Sequence, residues 1–102
     1  MTRDSKFTAR RSFIFSPGLK PDMFPKALAC GADIVCVELE DGIAPKDKAE
    51  AQRLTIKMFE EPQDKDQVER IVRINSLRDP YGLADVQAIL ATNSPPPALM
   101  LP

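Results

Sequence analysis

Asp33-Ile34-Val35-Cys36-Val37-Glu38-Leu39-Glu40-Asp41-Gly42 passes from an unbroken apolar run into a cluster of carboxylates. A run that does not alternate predicts a strand buried on both faces, as in a parallel sheet covered by helices. In parallel α/β folds, chemistry collects at the C-terminal ends of the strands. Glu38, Glu40 and Asp41 fall at that end. Taken singly, each acid reads equally as part of a solvated turn. The cluster gains meaning because other strand ends in the chain are also polar.

Working outward, residues 12–16 read as a first short strand, stopped by Pro17 and Gly18. A helix capped by Asp22 is expected to run to about Cys30. Pro25 falls in its first turn, where a missing N–H costs nothing, and Gly31 is placed to end it in the left-handed conformation. The second strand spans residues 34–39. After a loop with Gly42 and Pro45, a helix starts near Lys46 or Asp47 and reaches about Glu60, with Ala51, Leu54, Met58 and Phe59 as its core stripe. Residues 62–67 read as polar loop. Residues 69–75 form a third strand, and residues 76–82 a turn-rich loop. A helix follows over residues 83–91, with Leu83, Val86, Ile89 and Leu90 inward. Residues 93–97 break it, and residues 98–101 begin a fourth strand.

The order β-α-β-α-β-α-β implies parallel pairing through right-handed crossovers. The fold class is α/β, either a small open sheet or the N-terminal half of a (β/α)8 barrel, which needs roughly 250 residues in all. No helix covers the last strand, which favours a truncated barrel over residues 12–102 preceded by a disordered tail over residues 1–11.

The 102 residues suffice for one small core. A hydrophobic share of 43% and a charged share of 28% fit a soluble globular protein. With 14 basic and 15 acidic side chains, nucleic acid and anionic membranes are poor partners, because both favour basic surfaces. Histidine is absent, which excludes a Ser-His-Asp triad and histidine-ligated metal within these residues. Cys30 and Cys36 match no zinc spacing and are expected as buried, reduced thiols of a cytosolic protein. The opening residues carry Arg3, Lys6, Arg10 and Arg11 without the apolar stretch of a secretory signal. The expected location is the cytoplasm, or the mitochondrial matrix in a eukaryote.

Three strand ends open onto one rim if the strands are adjacent: Phe15 to Gly18, Glu38 to Gly42, and Arg73 to Asn75. Arg73 interrupts an apolar strand, where an unpaired guanidinium is costly to bury. It must find a carboxylate, an anionic ligand or water; an ion pair with Glu40 or Asp41 and a bound anion can hold at once. Lys20 and Lys26 flank the start of the first helix, a place that favours phosphate. Lys46, Lys48 and Arg53 read as the solvent face of the second helix. Neither GxGxxG nor GxxxxGK[ST] occurs.

Arg11 to Gly18, Lys26-Ala27, Gly31-Ala32-Asp33, Glu38 to Pro45, Val72 to Asn75 and Leu99 to Pro102, in that order, resemble the citrate lyase β-subunit-like family. These are the citryl-, malyl- and citramalyl-CoA lyases of the HpcH/HpaI aldolase superfamily. The resemblance implies a (β/α)8 barrel in a homo-oligomer, a trimer or hexamer. It also implies Mg²⁺-dependent cleavage or formation of a C–C bond next to a CoA thioester. Arg73 matches the family's substrate-binding arginine, with a catalytic role in stabilising the thioester enolate. Phe15 lies where the family touches substrate or cofactor, and Lys26 matches a contact to CoA phosphate. Glu40 and Asp41 match acids that shape the rim near the metal. Glu38 stands where many members have Asp, and Asp22 where some have a basic residue. The family's Mg²⁺ ligands, a glutamate and an aspartate, come from later strands, so no metal ligand is expected within these 102 residues. Pro102 falls where the family continues with lysine. Two other readings stay open: a non-catalytic fragment or binding module, and a superfamily aldolase acting on free 2-keto acids.

Overall fold

The computed structural model describes residues 10–61 and 68–102. Four strands form one parallel sheet in sequential order: β1 (Phe13–Pro17), β2 (Ile34–Glu38), β3 (Glu69–Arg73) and β4 (Leu99–Met100). Between them run α1 (Phe24–Leu28), α2 (Lys48–Glu60) and α3 (Pro80–Ala91). The register is unbroken from Phe13↔Ile34 to Pro17↔Glu38 and from Ile34↔Glu69 to Glu38↔Arg73.

Successive strand residues point to opposite faces. On one face, Val35, Val37, Leu39, Val72 and Ile74 join Phe24 and Ala27 of α1, Ala51, Met58 and Phe59 of α2, and Ile89 of α3 in a single core. All three helices therefore cover the same side. The other parity places Phe13, Phe15, Cys36, Glu38, Ile71 and Arg73 on the opposite face. Val35, Cys36 and Val37 are fully buried, so β2 is covered on both sides, as its unalternating run predicts.

The first helix differs from expectation. Pro21–Met23 is a 3-10 turn, α1 begins at Phe24, and Asp22 makes no capping bond. Pro21 and Pro25 each sit at the start of a short helical piece, where a missing N–H breaks nothing. The α-helical ladder forms only after Met23, too late for Asp22 to cap it. Gly31 has the positive φ expected of it, 96°, but it lies two residues beyond the cap Ala29 and so does not itself end α1. Cys30, one residue before it, is exposed rather than buried, because α1 stops at Leu28.

Two other corrections concern helix faces. In α2, Ala51, Met58 and Phe59 are buried as expected, but Thr55 joins them and Leu54 is only partly covered. In α3, Leu83 (56% exposed) and Leu90 (78%) face outward while Asp85 is buried. The helix is apolar nearly all round, so pattern alone does not set its rotation. Asp85 sets it by bonding the end of β3. Asp79 caps α3 by accepting from the N–H groups of Tyr81 and Gly82, which starts the helix three residues before Leu83.

The polar loop expected over residues 62–67 lies outside the described residues, as do residues 1–9 of the expected tail. Arg10 and Arg11 are placed. Arg10 pairs with Glu69 at 2.8 Å. The Asp33 carboxylate accepts from the backbone N–H groups of Arg11 (2.8 Å) and Ser12 (3.2 Å). Those bonds hold the Asp33 carboxyl below its ordinary range and clamp the start of β1 to the start of β2.

Candidate functional site

The C-terminal ends of β1, β2 and β3 form the rim that the strand order requires. Glu38 and Arg73 are the last residues of their strands and are register partners. Their side chains leave the sheet on the same face and meet. Arg73 Nε donates to Glu38 Oε1 (3.0 Å) and Oε2 (3.1 Å), and Arg73 Nη2 lies 2.9 Å from Oε1. Glu38 Oε2 also accepts the backbone N–H groups of Glu40 and Asp41, each at 2.8 Å. The turn after β2 thus folds back over the carboxylate and saturates it. This fixes one rotamer of Glu38 and, through it, one orientation of the guanidinium.

Phe15, on β1 in register with Cys36 and on the same face of the sheet, lays its ring against Arg73, with the guanidinium carbon 4.9 Å from the ring centroid. Phe13 packs edge-on against Phe15 at 5.0 Å. The hydrogen-bonded Glu38 carboxylate raises the Arg73 pKa above its already high ordinary value, so Arg73 is a permanent cation. A guanidinium has five N–H donors. Glu38 takes the Nε–H in a forked bond and pairs with Nη2 at 2.9 Å, and Glu40 approaches Nη2 at 3.5 Å. Among the described residues, Nη1 makes no hydrogen bond, so part of the fork is available to an anion.

The expected partners of Arg73 were Glu40 or Asp41. Glu38 is the main one, Glu40 is secondary, and exposed Asp41 contributes its backbone N–H. Parallel register decides this, since Glu38 and Arg73 are each the fifth residue of paired strands. Phe15 and Arg73, read independently from sequence, are brought into contact. Lys26 is exposed on α1 and Lys20 just ahead of it.

A second group of residues ties the rim together from below. Lys48, in the first turn of α2, donates to the carbonyls of Leu39 (3.3 Å) and Glu40 (3.0 Å) and to Asn75 Oδ1 (2.6 Å). It is partly buried, which corrects its assignment to the solvent face. The helix begins beneath the turn, so the lysine reaches back across it. Asn75 in turn gives its backbone N–H (2.9 Å) and Nδ2 (2.7 Å) to Asp85, whose other oxygen accepts from Gln52. Asn75 and Asp85 are each 2% exposed. One sequence signal for this group existed: a lone acid at position 85 inside an apolar helix.

Gly18 permits the close approach of β1 to β2 at the rim. A Cβ there would lie 2.8 Å from Thr55 Oγ1 and 2.9 Å from the Glu38 carbonyl oxygen, while the Gly18 N–H donates to that same oxygen. Burial pushes the Cys36 thiol up to about 12, helped by the charge of Glu38, so Cys36 is not a nucleophile. Among the described residues, no group of three or more Cys, Asp or Glu side chains is arranged to hold a metal ion. Glu38 has both oxygens engaged and Glu40 leans on Arg73. The carboxylates present therefore do not fit a Mg²⁺ site of their own.

Comparison with known proteins gives a consistent result. Residues 11–102 match the family described as HpcH/HpaI aldolase/citrate lyase. The chain is 33% identical over 85 residues to citrate lyase subunit beta of Escherichia coli K12, covering 83% of this chain and 28% of that protein. It is 41% identical over 80 residues to L-malyl-CoA/beta-methylmalyl-CoA lyase of Cereibacter sphaeroides, covering 78% and 25%. Protein CitE from Mycobacterium tuberculosis, in complex with magnesium and acetoacetate, superposes with a TM-score of 0.73 at 30% identity over 94% of this chain and 38% of that one. The same protein with magnesium, acetoacetate and coenzyme A gives 0.71 at 31% identity, over 92% and 33%. The chain thus spans between 25% and 28% of the length of these two curated relatives. Its four parallel strands correspond to the N-terminal portion of the barrel in the matching structures.

Proposed function

The chain belongs to the HpcH/HpaI aldolase/citrate lyase family, and on that premise we propose that the protein carrying it is a Mg²⁺-dependent acyl-CoA lyase. It cleaves or forms a C–C bond next to a CoA thioester of the citryl, malyl or citramalyl type. The observation that carries the reading is the rim arginine. Arg73 is locked by Glu38, backed by Phe15, and keeps donors free.

A planar fork of this kind grips a carboxylate in two-point fashion. The substrate acid lies against Arg73 with Phe15 beside it, and the fixed guanidinium orients the bond to be broken. Cleavage leaves negative charge on a thioester enolate, and a cation already in place stabilises it without reorganisation. Arg73 stays protonated at working pH, so it does not serve as the acid or base. Lys26 and the neighbouring Lys20, exposed beside β1, are proposed contacts for CoA phosphates. Glu40 and Asp41 shape the mouth of the site. The metal ligands and the acid/base group are placed outside residues 1–102, as is the rest of a homo-oligomeric barrel, a trimer or hexamer. This segment, which spans between 25% and 28% of the length of the two curated relatives, supplies the acid-binding wall and, alone, is inactive. The proposed location is the cytoplasm, or the mitochondrial matrix in a eukaryote.

The test is turnover of malyl-, citramalyl- and citryl-CoA by the purified protein that carries this segment, with thioester products followed by chromatography. Mg²⁺-dependent cleavage of one of them is expected. Retro-aldol cleavage of free 2-keto acids, with no action on any CoA ester, overturns the reading.

A further inference from the structure

The lyase reading uses Arg73, Phe15 and the rim acids, and leaves the partly buried ammonium of Lys48 without a role. We propose that Lys48 is the positioning residue for Arg73, acting through the turn that follows β2; this rests on the reading of Arg73 as the carboxylate grip.

The contacts run without a gap. Lys48 Nζ binds the carbonyls of Leu39 and Glu40 and the side chain of Asn75, so all three of its donors are engaged. The two carbonyls belong to the turn whose next N–H groups, from Glu40 and Asp41, reach Glu38 Oε2 at 2.8 Å. Glu38 then holds Arg73 at Nε and Nη2. The third Lys48 donor ties the same turn to Asn75, two residues beyond Arg73, which Asp85 anchors in the protein interior. Lys48 therefore links both strand ends that frame the guanidinium. The 2.6 Å bond to Asn75 and the two carbonyl bonds form a tripod that a neutral or shorter side chain does not reproduce. The Tyr81 ring, 5.7 Å from Nζ, closes the remaining side.

Without the ammonium, the Leu39 and Glu40 carbonyls lose their shared donor. The turn is then free to lift its N–H groups from Glu38. Arg73 in turn can pair instead with Glu40, already 3.5 Å away, which removes donors from the substrate. Displacements of about 1 Å at a reacting group reduce turnover by on the order of a hundredfold.

The experiment uses the protein that carries this segment, with Lys48→Met and Lys48→Arg variants. In the parent, the Arg73 Nε–H resonance, assigned by its loss in Arg73→Lys, is shifted downfield by Glu38. Lys48→Met is expected to move that resonance, to lower kcat/KM by roughly ten- to a hundredfold, and to weaken inhibition by malonate by a similar factor. Binding of free CoA, which does not use Arg73, changes less than twofold. Lys48→Arg keeps the charge and recovers part of the loss. A general packing defect instead weakens CoA and malonate together and leaves the Arg73 resonance in place in the folded protein. That outcome, or a kcat/KM within twofold of the parent, overturns the proposal, and so does failure of both variants to fold. A parent without lyase turnover whose Arg73 resonance still moves in Lys48→Met refutes the lyase reading and leaves the positioning role standing.

Discussion

Replacing Arg73 separates a functional cation from a structural one. Arg73→Ala strips the partner from Glu38, whose side chain is 10% exposed against 22% for Arg73. Removing one partner of a fully buried pair costs roughly 3–5 kcal/mol. Here Glu38 keeps two backbone N–H donors and the guanidinium is partly solvated, so the loss shrinks to about 2 kcal/mol. In a protein of barrel size that lowers Tm by about 4–8 °C. Arg73→Lys keeps the charge and one bond to Glu38, so its stability loss is smaller, about 1 kcal/mol. It loses the planar fork and the stacking on Phe15. If Arg73 grips substrate, Arg73→Lys lowers kcat/KM on the order of a hundredfold, about 2.7 kcal/mol of transition-state stabilisation, and Arg73→Ala lowers it further. The assay pairs thermal melts with steady-state kinetics on the same purified variants. Arg73→Lys turning over the parent's own substrate at the parent's rate, with a depressed Tm, reduces Arg73 to an ion-pair residue and refutes the reasoning.

Phe15→Leu removes the ring face under the guanidinium, worth about 1 kcal/mol at a partly exposed site, and is expected to raise KM for the acid substrate about fivefold with Tm nearly unchanged; an unaltered KM counts against Phe15 as part of the site. Gly18→Ala drives a methyl into Thr55 Oγ1 and the Glu38 carbonyl, at 2.8 and 2.9 Å, and is expected to cost about 1–3 kcal/mol in denaturant titration. Thiol labelling at pH 8, with the modified sites mapped by mass spectrometry, is expected to modify exposed Cys30 quickly, while Cys36, buried with its pKa pushed up to about 12, reacts only on unfolding. Equally fast labelling of Cys30 and Cys36 contradicts the placement of Cys36 inside the sheet.

Much of this architecture was legible before any coordinates. The unalternating run from Ile34 to Leu39 requires cover on both faces, and the β-α-β order then leaves parallel pairing as the simple solution. Strand ends, and with them Phe15, Glu38 and Arg73, fall on one rim once the strands are adjacent, as the sheet order makes them. Helix faces were less legible. Leu83 and Leu90 carry enough apolar area to suggest a core position, yet α3 turns so that Asp85 meets Asn75, whose buried backbone N–H and side-chain amide need an acceptor.

The alternation of strands and helices, the parallel sense it implies, and the need of Arg73 for a negative partner were determined by sequence, while the adjacency of the strands that makes one rim was settled by the sheet. Hydrophobic periodicity and the cost of burying an unpaired charge are local properties of the chain. Which carboxylate answers Arg73 was decided by tertiary structure. Glu38, Glu40 and Asp41 lie within four residues of one another and are equivalent in composition. The register of β2 on β3 brings the fifth residue of each strand side by side, and the returning turn gives its N–H groups to that one acid. Lys48 became part of the rim for the same reason. Its periodicity marks it as surface, and only the placement of the start of α2 beneath the turn gives its ammonium three oxygens to bind.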